Sequence, residues 1–464
     1  MRSSLQPIWA IARLTWRAAF RFKLVRVLGL VLIGGVFLLP AVIKDDGTAR
    51  GFTQIVLTYT LGLITSVLGL ATLWLACGTL ARDIDECHIQ MVAVKPIPRW
   101  QIWAGRWLGL LVLDAFLLSL SSGIVFAQMV WRSRQLPEAQ QQVLRNEIFV
   151  ARGSAKPEVP DIEPEVEARL KERLKNETVA AMDRNQVRKI IREQIKAQRQ
   201  VVQSGWQRTW PIDLSGVKES LRDRPLYLRM KFFVAEKSPS GTYVGMWDVG
   251  APQSPVHWRE MRSQAAETFY EIPITTPNLI DPKGILYVTF INQNPTALLF
   301  PLDEGMEVLY REGGFGLNYF RGMAIVFCWL ALIAAVGLFA ASFLSFPVAA
   351  FLSLGVLVLA FSTGTMSQVI EEGTIREVNH DTGRVDKETL FDTVTVGLFK
   401  GLLGTINLVR DFSPIDNLSS GRSITWGQLT RAFAQIVMLV GGIFAGIGMV
   451  VLTRRELATA QAKS

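Results

Sequence analysis

The sequence predicts an α-helical polytopic membrane protein with six transmembrane helices and an inserted extracytoplasmic α+β domain containing a jelly-roll-like β-sandwich. Three observations carry that expectation. Half of the 464 residues are hydrophobic, and they are clustered: no charge occurs from Gly51 to Ala81 or from Gly322 to Ile370, and Trp107 to Trp131 holds only Asp114. Runs of that length are too long for ordinary core helices and suit membrane crossings. Between them, 132–318 stays polar, and its apolar residues change from helical spacing to a period of two.

Ser4 to Lys23 opens the chain as an amphipathic helix. Arg13, Arg17 and Arg21 recur every fourth residue, with Trp9, Trp16, Phe20 and Phe22 among the apolar positions, the pattern of a helix lying in the membrane interface. The first span is read from Val27 to Ile43, the second from Phe52 to Leu80 and the third from Trp107 to Trp131. At about 1.5 Å per residue, Gly322 to Ile370 is long enough for two crossings of a ~30 Å core, with Ser345-Phe346-Pro347 as the turn. A sixth span runs from Ala432 to Thr453. The expected divisions are 1–131 with a polar connection at 81–106, a helical stalk at 132–204, a β-sandwich at 205–318, and the last three spans in 319–464.

Within the insert, Pro160 to Ser204 places Val166, Leu170, Leu174, Val187, Ile190, Ile191 and Ile195 at helical steps, predicting two helices broken near Met182 to Asn185. Pro225–Glu236, Thr242–Val249, Glu267–Ile274, Gly284–Asn292 and Met306–Tyr310 alternate or carry β-formers, separated by Gly, Pro and Asn, which predicts strands. A second polar segment, 367–430, contains the glycine-punctuated Val394–Val409, read as an interfacial or re-entrant helix.

Six spans put both termini on one side. Six basic residues and no acid fall within Met1 to Arg26, and Arg82, Lys95, Arg99, Arg106, Arg454 and Arg455 fall on the same side. The positive-inside rule therefore predicts cytoplasmic termini and an extracytoplasmic 132–318. The net charge of +9 thus belongs to the membrane edge. No basic cluster with interleaved aromatics marks a nucleic-acid surface. Three cysteines and three histidines are scattered without metal-ligand or disulfide spacing. No small-residue cleavage site follows Val42, so no secretory signal peptide is expected.

The chain carries no phosphate-binding Gly-rich loop ending in Gly-Lys-Ser/Thr, no Gly-x-Ser-x-Gly elbow and no His-Glu-x-x-His. Asp114 is the one ionisable residue well inside a span: a functional candidate, or the acceptor of a helix-packing hydrogen bond from Ser or Thr. Tyr243, Trp247 and Trp258 are candidates for a ligand surface on the sandwich, or are core. The insert carries 26 basic and 24 acidic residues between Arg132 and Asn318, so a neutral glycan, a lipid-linked ligand or an envelope protein fits it better than a charged polymer.

The connection from Ala81 to Gly109 has a marked order. Asp83, Asp85 and Glu86 lead, an apolar turn (Ile89, Met91, Val92, Val94) follows, then Lys95-Pro96-Ile97-Pro98-Arg99 and an amphipathic return through Trp100. Acids at the front of a short helix suit its dipole, and the prolines end it. A rigid cytoplasmic knob of this kind suits docking of a soluble partner. The layout resembles the permease subunits of ATP-binding-cassette transporters of the type-2 (exporter) family. Asp83, Asp85 and Glu86 match that family's acids, Pro96 to Arg99 its Pro-x-x-Arg turn, and Gly105-Arg106 its Gly-Lys, with Arg for Lys. Cys87-His88 stands where the family commonly has Gly-Thr, and the insert between spans three and four is larger than in most members. The resemblance implies a non-catalytic permease subunit in a bacterial cytoplasmic membrane, part of an exporter or envelope-remodelling system. It further implies a separate ABC ATPase that binds ATP and Mg²⁺ and docks on Asp83, Asp85, Glu86, Lys95, Pro96, Pro98 and Arg99. A second permease subunit, identical or paralogous, would complete the assembly, with membrane lipids around it. The alternative is a membrane-anchored sensor whose β domain holds an envelope ligand, which has no need of a rigid cytoplasmic knob.

Overall fold

The computed structural model describes residues 2–21, 23–43, 48–86, 97–175, 184–221, 224–361, 390–410 and 412–455, with Ser367 and Ile370. The chain divides into two compact units, Met1–Phe149 with Gly314–Ser464, and Val150–Gly313.

The first unit begins with α1 (Arg2–Arg21), α2 (Lys23–Val42), α3 (Ala49–Asp85), α4 (Arg99–Ser133) and α5 (Glu138–Glu147). The second unit contains β1 (Val150–Ala155), α6 (Glu163–Arg173), α7 (Arg184–Gln200) and β2 (Val201–Val202). It continues through β3 (Gln207–Asp213), β4 (Leu226–Met230), β5 (Phe233–Val234), β6 (Thr242–Val249) and β7 (Trp258–Ala265). Its last strands are β8 (Tyr270–Ile274), β9 (Ile285–Asn292), β10 (Leu298–Leu299) and β11 (Met306–Gly314). The chain then returns to the first unit as α8 (Phe315–Ala341), α9 (Phe346–Phe361), α10 (Leu390–Arg410) and α11 (Pro414–Ser419). It closes with α12 (Trp426–Arg454), whose Phe433–Gly441 stretch is π-helical.

Four of these helices, within α3, α4, α8 and α12, are long and apolar enough to cross a membrane. The expected fifth span corresponds to α9, a shorter apolar helix of 16 residues outside that set; the expected first corresponds to α2, of 20 residues, which is long and apolar enough only when taken with α1 as one bent pair, a fifth candidate. Two boundaries differ from the sequence reading. Helices α3 and α4 run 37 and 35 residues, so the expected 81–106 connection shrinks: Asp83 and Asp85 close α3, and Arg99 opens α4. Charged residues at helix ends continue the helix when the backbone has no competing turn, and the first proline, Pro96, comes only later. Residues 390–410 form one helix of 21 residues, longer than the expected 394–409 and outside the four.

Helix α8 is central to the first unit: Val326, Leu330, Ala334 and Leu338 are fully buried. Trp107 Nε1 donates to the Ala331 carbonyl at 3.0 Å and the Tyr319 hydroxyl to the Ser122 carbonyl at 2.8 Å, tying α4 to α8 at two levels. Helix α1 lies directly on α4. A Cβ on Gly105 would stand 2.9 Å from the Ile8 carbonyl oxygen, and one on Gly109 2.8 Å from that of Ala12. Two glycines four apart leave room for the backbone-level contact, a spacing whose meaning the sequence reading missed.

In the second unit, two four-stranded sheets, ordered β1-β11-β4-β8 and β3-β9-β6-β7, enclose one apolar core, with a small sheet β2-β10-β5 beside them. The pairs β11–β4, β4–β8, β3–β9, β6–β9 and β6–β7 are antiparallel. The expected division at 204/205 is not where the domain begins. β1, from the segment expected to be stalk, is an edge strand of the first sheet, and the unit opens at Val150. Nor does the unit extend back to Arg132, because α5 buries Leu144 in the core of the first unit. Arg152 of β1 is buried and reaches across the sheet, with Nη1 2.9 Å from Glu271 Oε2 of β8. Glu307 of β11 accepts from Ser154 at 2.7 Å and pairs with Arg229 of β4 at 3.1 Å.

Helices α6 and α7, the two expected between Pro160 and Ser204, pack on each other, with Val166 and Leu170 against Val187, Ile191 and Ile195. Arg188 and Arg192 hold Glu163, and Arg169 and Arg199 hold Glu165. The Arg188 hydrogen bond lowers the Glu163 pKa, and the Arg199 hydrogen bond lowers that of Glu165. A lowered folded pKa contributes stability that is full above the unfolded value and fades as pH falls through the folded one. Amide exchange across α6 and α7 should therefore accelerate as pH, corrected for intrinsic exchange, drops below the ordinary glutamate value of 4.5. Exchange in the sandwich core should not follow it at that onset.

Candidate functional site

The ends of α3, α4, α8 and α12 meet around the connection that the sequence singles out. The last carbonyls of a helix lack intrahelical donors and carry its negative dipole end, so cations collect there. Arg99, the first residue of α4, donates from Nη1 to the carbonyls of Leu452 at 3.1 Å, Thr453 at 3.0 Å and Arg455 at 2.6 Å, all at the end of α12. Arg455 in turn donates to the Ser342 carbonyl, just past α8, at 3.1 Å. Arg106 donates to the Thr79 carbonyl of α3 at 2.7 Å and forms an ion pair with Asp83. Arg82 lies 4.3 Å from the Phe346 ring at the start of α9. The arginines that the sequence reads as orientation charges thus also fasten four helix ends together.

The candidate docking residues divide accordingly. Arg99 faces inward to α12, and Asp83 is engaged by Arg106. Asp85, Glu86 and Pro98 are exposed. Lys95, Pro96 and the apolar turn at 89–94 lie outside the described residues.

Asp114 is buried between α3 and α4. Thr72 donates to its Oδ1 at 2.7 Å, the helix-packing bond the sequence allowed for, while its Oδ2 has no hydrogen-bond partner among the described residues.

Of the two readings open to the aromatic residues of the sandwich, ligand surface or core, the structure places all three in the core. Trp247 is 1% exposed, Tyr243 4% and Trp258 7%. Trp247 packs at 4.7 Å from the Phe290 ring, and the Tyr243 hydroxyl is closed between the Ser238 amide and the Glu236 carbonyl. The alternation of β6 is the cause: Tyr243, Gly245, Trp247 and Val249 face inward, while Val244 and Met246 face out. Among the described residues, no group of three or more His, Cys, Asp or Glu is placed to hold a metal ion.

Comparison with protein-family models, with curated proteins and with solved structures finds no match for this chain.

Proposed function

We propose that this chain is the membrane subunit of a transporter of the ATP-binding-cassette type, driven by a separate ATPase that docks on the connection between α3 and α4. The observation that carries the reading is the clamp of Arg99 on the end of α12, with Arg455 continuing it to the end of α8. A partner pressing on the connection would displace α4, and the guanidinium bonds would carry that displacement to α12 and α8. Charge-assisted hydrogen bonds of this kind are the stronger ones in proteins. The π-helical stretch in α12 adds a point where the helix ladder is irregular, a feature frequent at functional sites.

Supporting the finer architecture, α2 and α9 complete six crossings with the four longer helices if each is counted as a thin span. Two facing four-stranded sheets with the orders β1-β11-β4-β8 and β3-β9-β6-β7 support reading the domain as a jelly-roll-like sandwich. Both termini and the α3–α4 connection are then cytoplasmic in a bacterial inner membrane, with Val150–Gly313 outside and a second permease subunit alongside.

The test is charge reversal of the exposed acids. Asp85→Lys with Glu86→Lys should reduce co-purification of the ATPase at least tenfold with normal yield of the membrane subunit. Asp83→Lys is the contrasting variant: it breaks the pair with Arg106 and should lower yield as well. Undiminished ATPase in the double variant would remove the docking assignment.

A further inference from the structure

We propose that the cleft between α3, α4 and α5 binds an anionic phospholipid of the leaflet on the side where the chain enters the inserted domain. The inference rests on α3 and α4 crossing a membrane and is independent of the ATPase partnership. The cleft has a volume of about 510 Å³, within the range of roughly 300–1,000 Å³ common for small-molecule sites. Phe52 and Val56 of α3, Leu136, Leu144 of α5 and Phe149 give it apolar walls, and Arg132 is its one charged lining residue among those described.

Arg132 is the residue that selects the occupant. It is half-buried, its guanidinium lies 5.4 Å from the Phe52 ring centroid, and it makes no ion pair among the described residues. The aromatic ring satisfies one face of the cation, leaving edge N–H donors that match a phosphate in bidentate geometry. Its depth fits a headgroup. Arg132 follows the apolar run of α4, and the adjoining Trp131 is 61% exposed, as the aromatic residues of a membrane–water boundary are. The exposed Gln135 and Gln140 at the rim supply further polar contacts, while the apolar walls accept the upper part of an acyl chain. A zwitterionic lipid brings its own ammonium to the phosphate, so a net negative headgroup is favoured.

Purified full-length protein in micelles, offered equimolar phosphatidylglycerol and phosphatidylcholine, tests this by native mass spectrometry of retained lipid. Wild-type protein should retain phosphatidylglycerol about tenfold over phosphatidylcholine, the order expected for a charge-assisted contact. Arg132→Ala should bring the two lipids near parity, and Arg132→Lys should keep part of the preference. Gln140→Trp, which narrows the rim without removing a charge, should lower phosphatidylglycerol retention and decides the matter if Arg132→Ala does not fold. Absence of preference in the wild type overturns the site, as does a preference unchanged in Arg132→Ala or Gln140→Trp. Loss of the ATPase partnership with lipid preference intact would instead count against the transporter reading alone.

Discussion

Arg152→Ala should destabilise the Val150–Gly313 domain by about 3–5 kcal/mol, the loss that follows when one partner of a buried ion pair is removed. Arg152 is 1% exposed and donates to both carboxylate oxygens of Glu271, at 2.9 and 3.3 Å, so truncation removes both donors from a carboxylate that is itself only 7% exposed. The effect extends beyond one bond, because the Arg152–Glu271 pair links β1 and β8, the two edge strands of the same sheet. A fragment covering 150–313 should unfold cooperatively in denaturant. A fragment beginning at 205 lacks β1 and should expose an uncovered edge of β11, with low solubility and a weak or absent transition. A 205–313 fragment as stable as 150–313 would show that β1 is peripheral and that the domain begins later in the chain.

Trp247→Ala should cost a comparable amount, about 3–5 kcal/mol, or a midpoint shift of roughly 10 °C in a domain of this size. Its ring packs 4.7 Å from Phe290 and 6.1 Å from Phe300, at the centre of the sandwich core. Trp247→Phe keeps most of that packing and should cost much less. The measurement is thermal and chemical unfolding of the 150–313 fragment. A Trp247→Ala variant with an unchanged midpoint would return that residue to the surface and revive a role in ligand stacking.

The membrane helices were legible because charge is absent over stretches that no soluble core needs, as from Gly51 to Ala81. Their ends were not. Asp83 and Asp85 read as loop residues, yet they extend α3, since helix capping at Glu86 is a matter of backbone geometry rather than hydropathy. The alternation of β6 was visible, but Tyr243 and Trp247 on one face and Val244 and Met246 on the other are all apolar enough to be core. The partner strands decide which face is inward. β1 was illegible because Val150–Ala155 carries a charge and a glycine at its centre, and its burial depends on Glu271, far away in sequence. Arg99 was read as part of a docking turn, whereas its α12 partners are backbone carbonyls, which leave no mark in the sequence. The Thr72–Asp114 bond was legible by residue type, whereas the packing role of Gly105 and Gly109 depends on α1 lying against them, which their spacing alone does not reveal.

Proximity in the living cell tests most directly whether an ATPase sits against the exposed end of α3, as proposed above. A photo-crosslinking amino acid at Glu86, exposed at the end of α3, is compared with one at Ser263, exposed on β7 of the inserted domain. Irradiation should join Glu86 to a protein whose peptides contain a phosphate-binding Gly-rich loop, and Ser263 should capture no such protein. Capture of the ATPase from Ser263, or its failure at Glu86 in cells that contain the ATPase, would contradict the account.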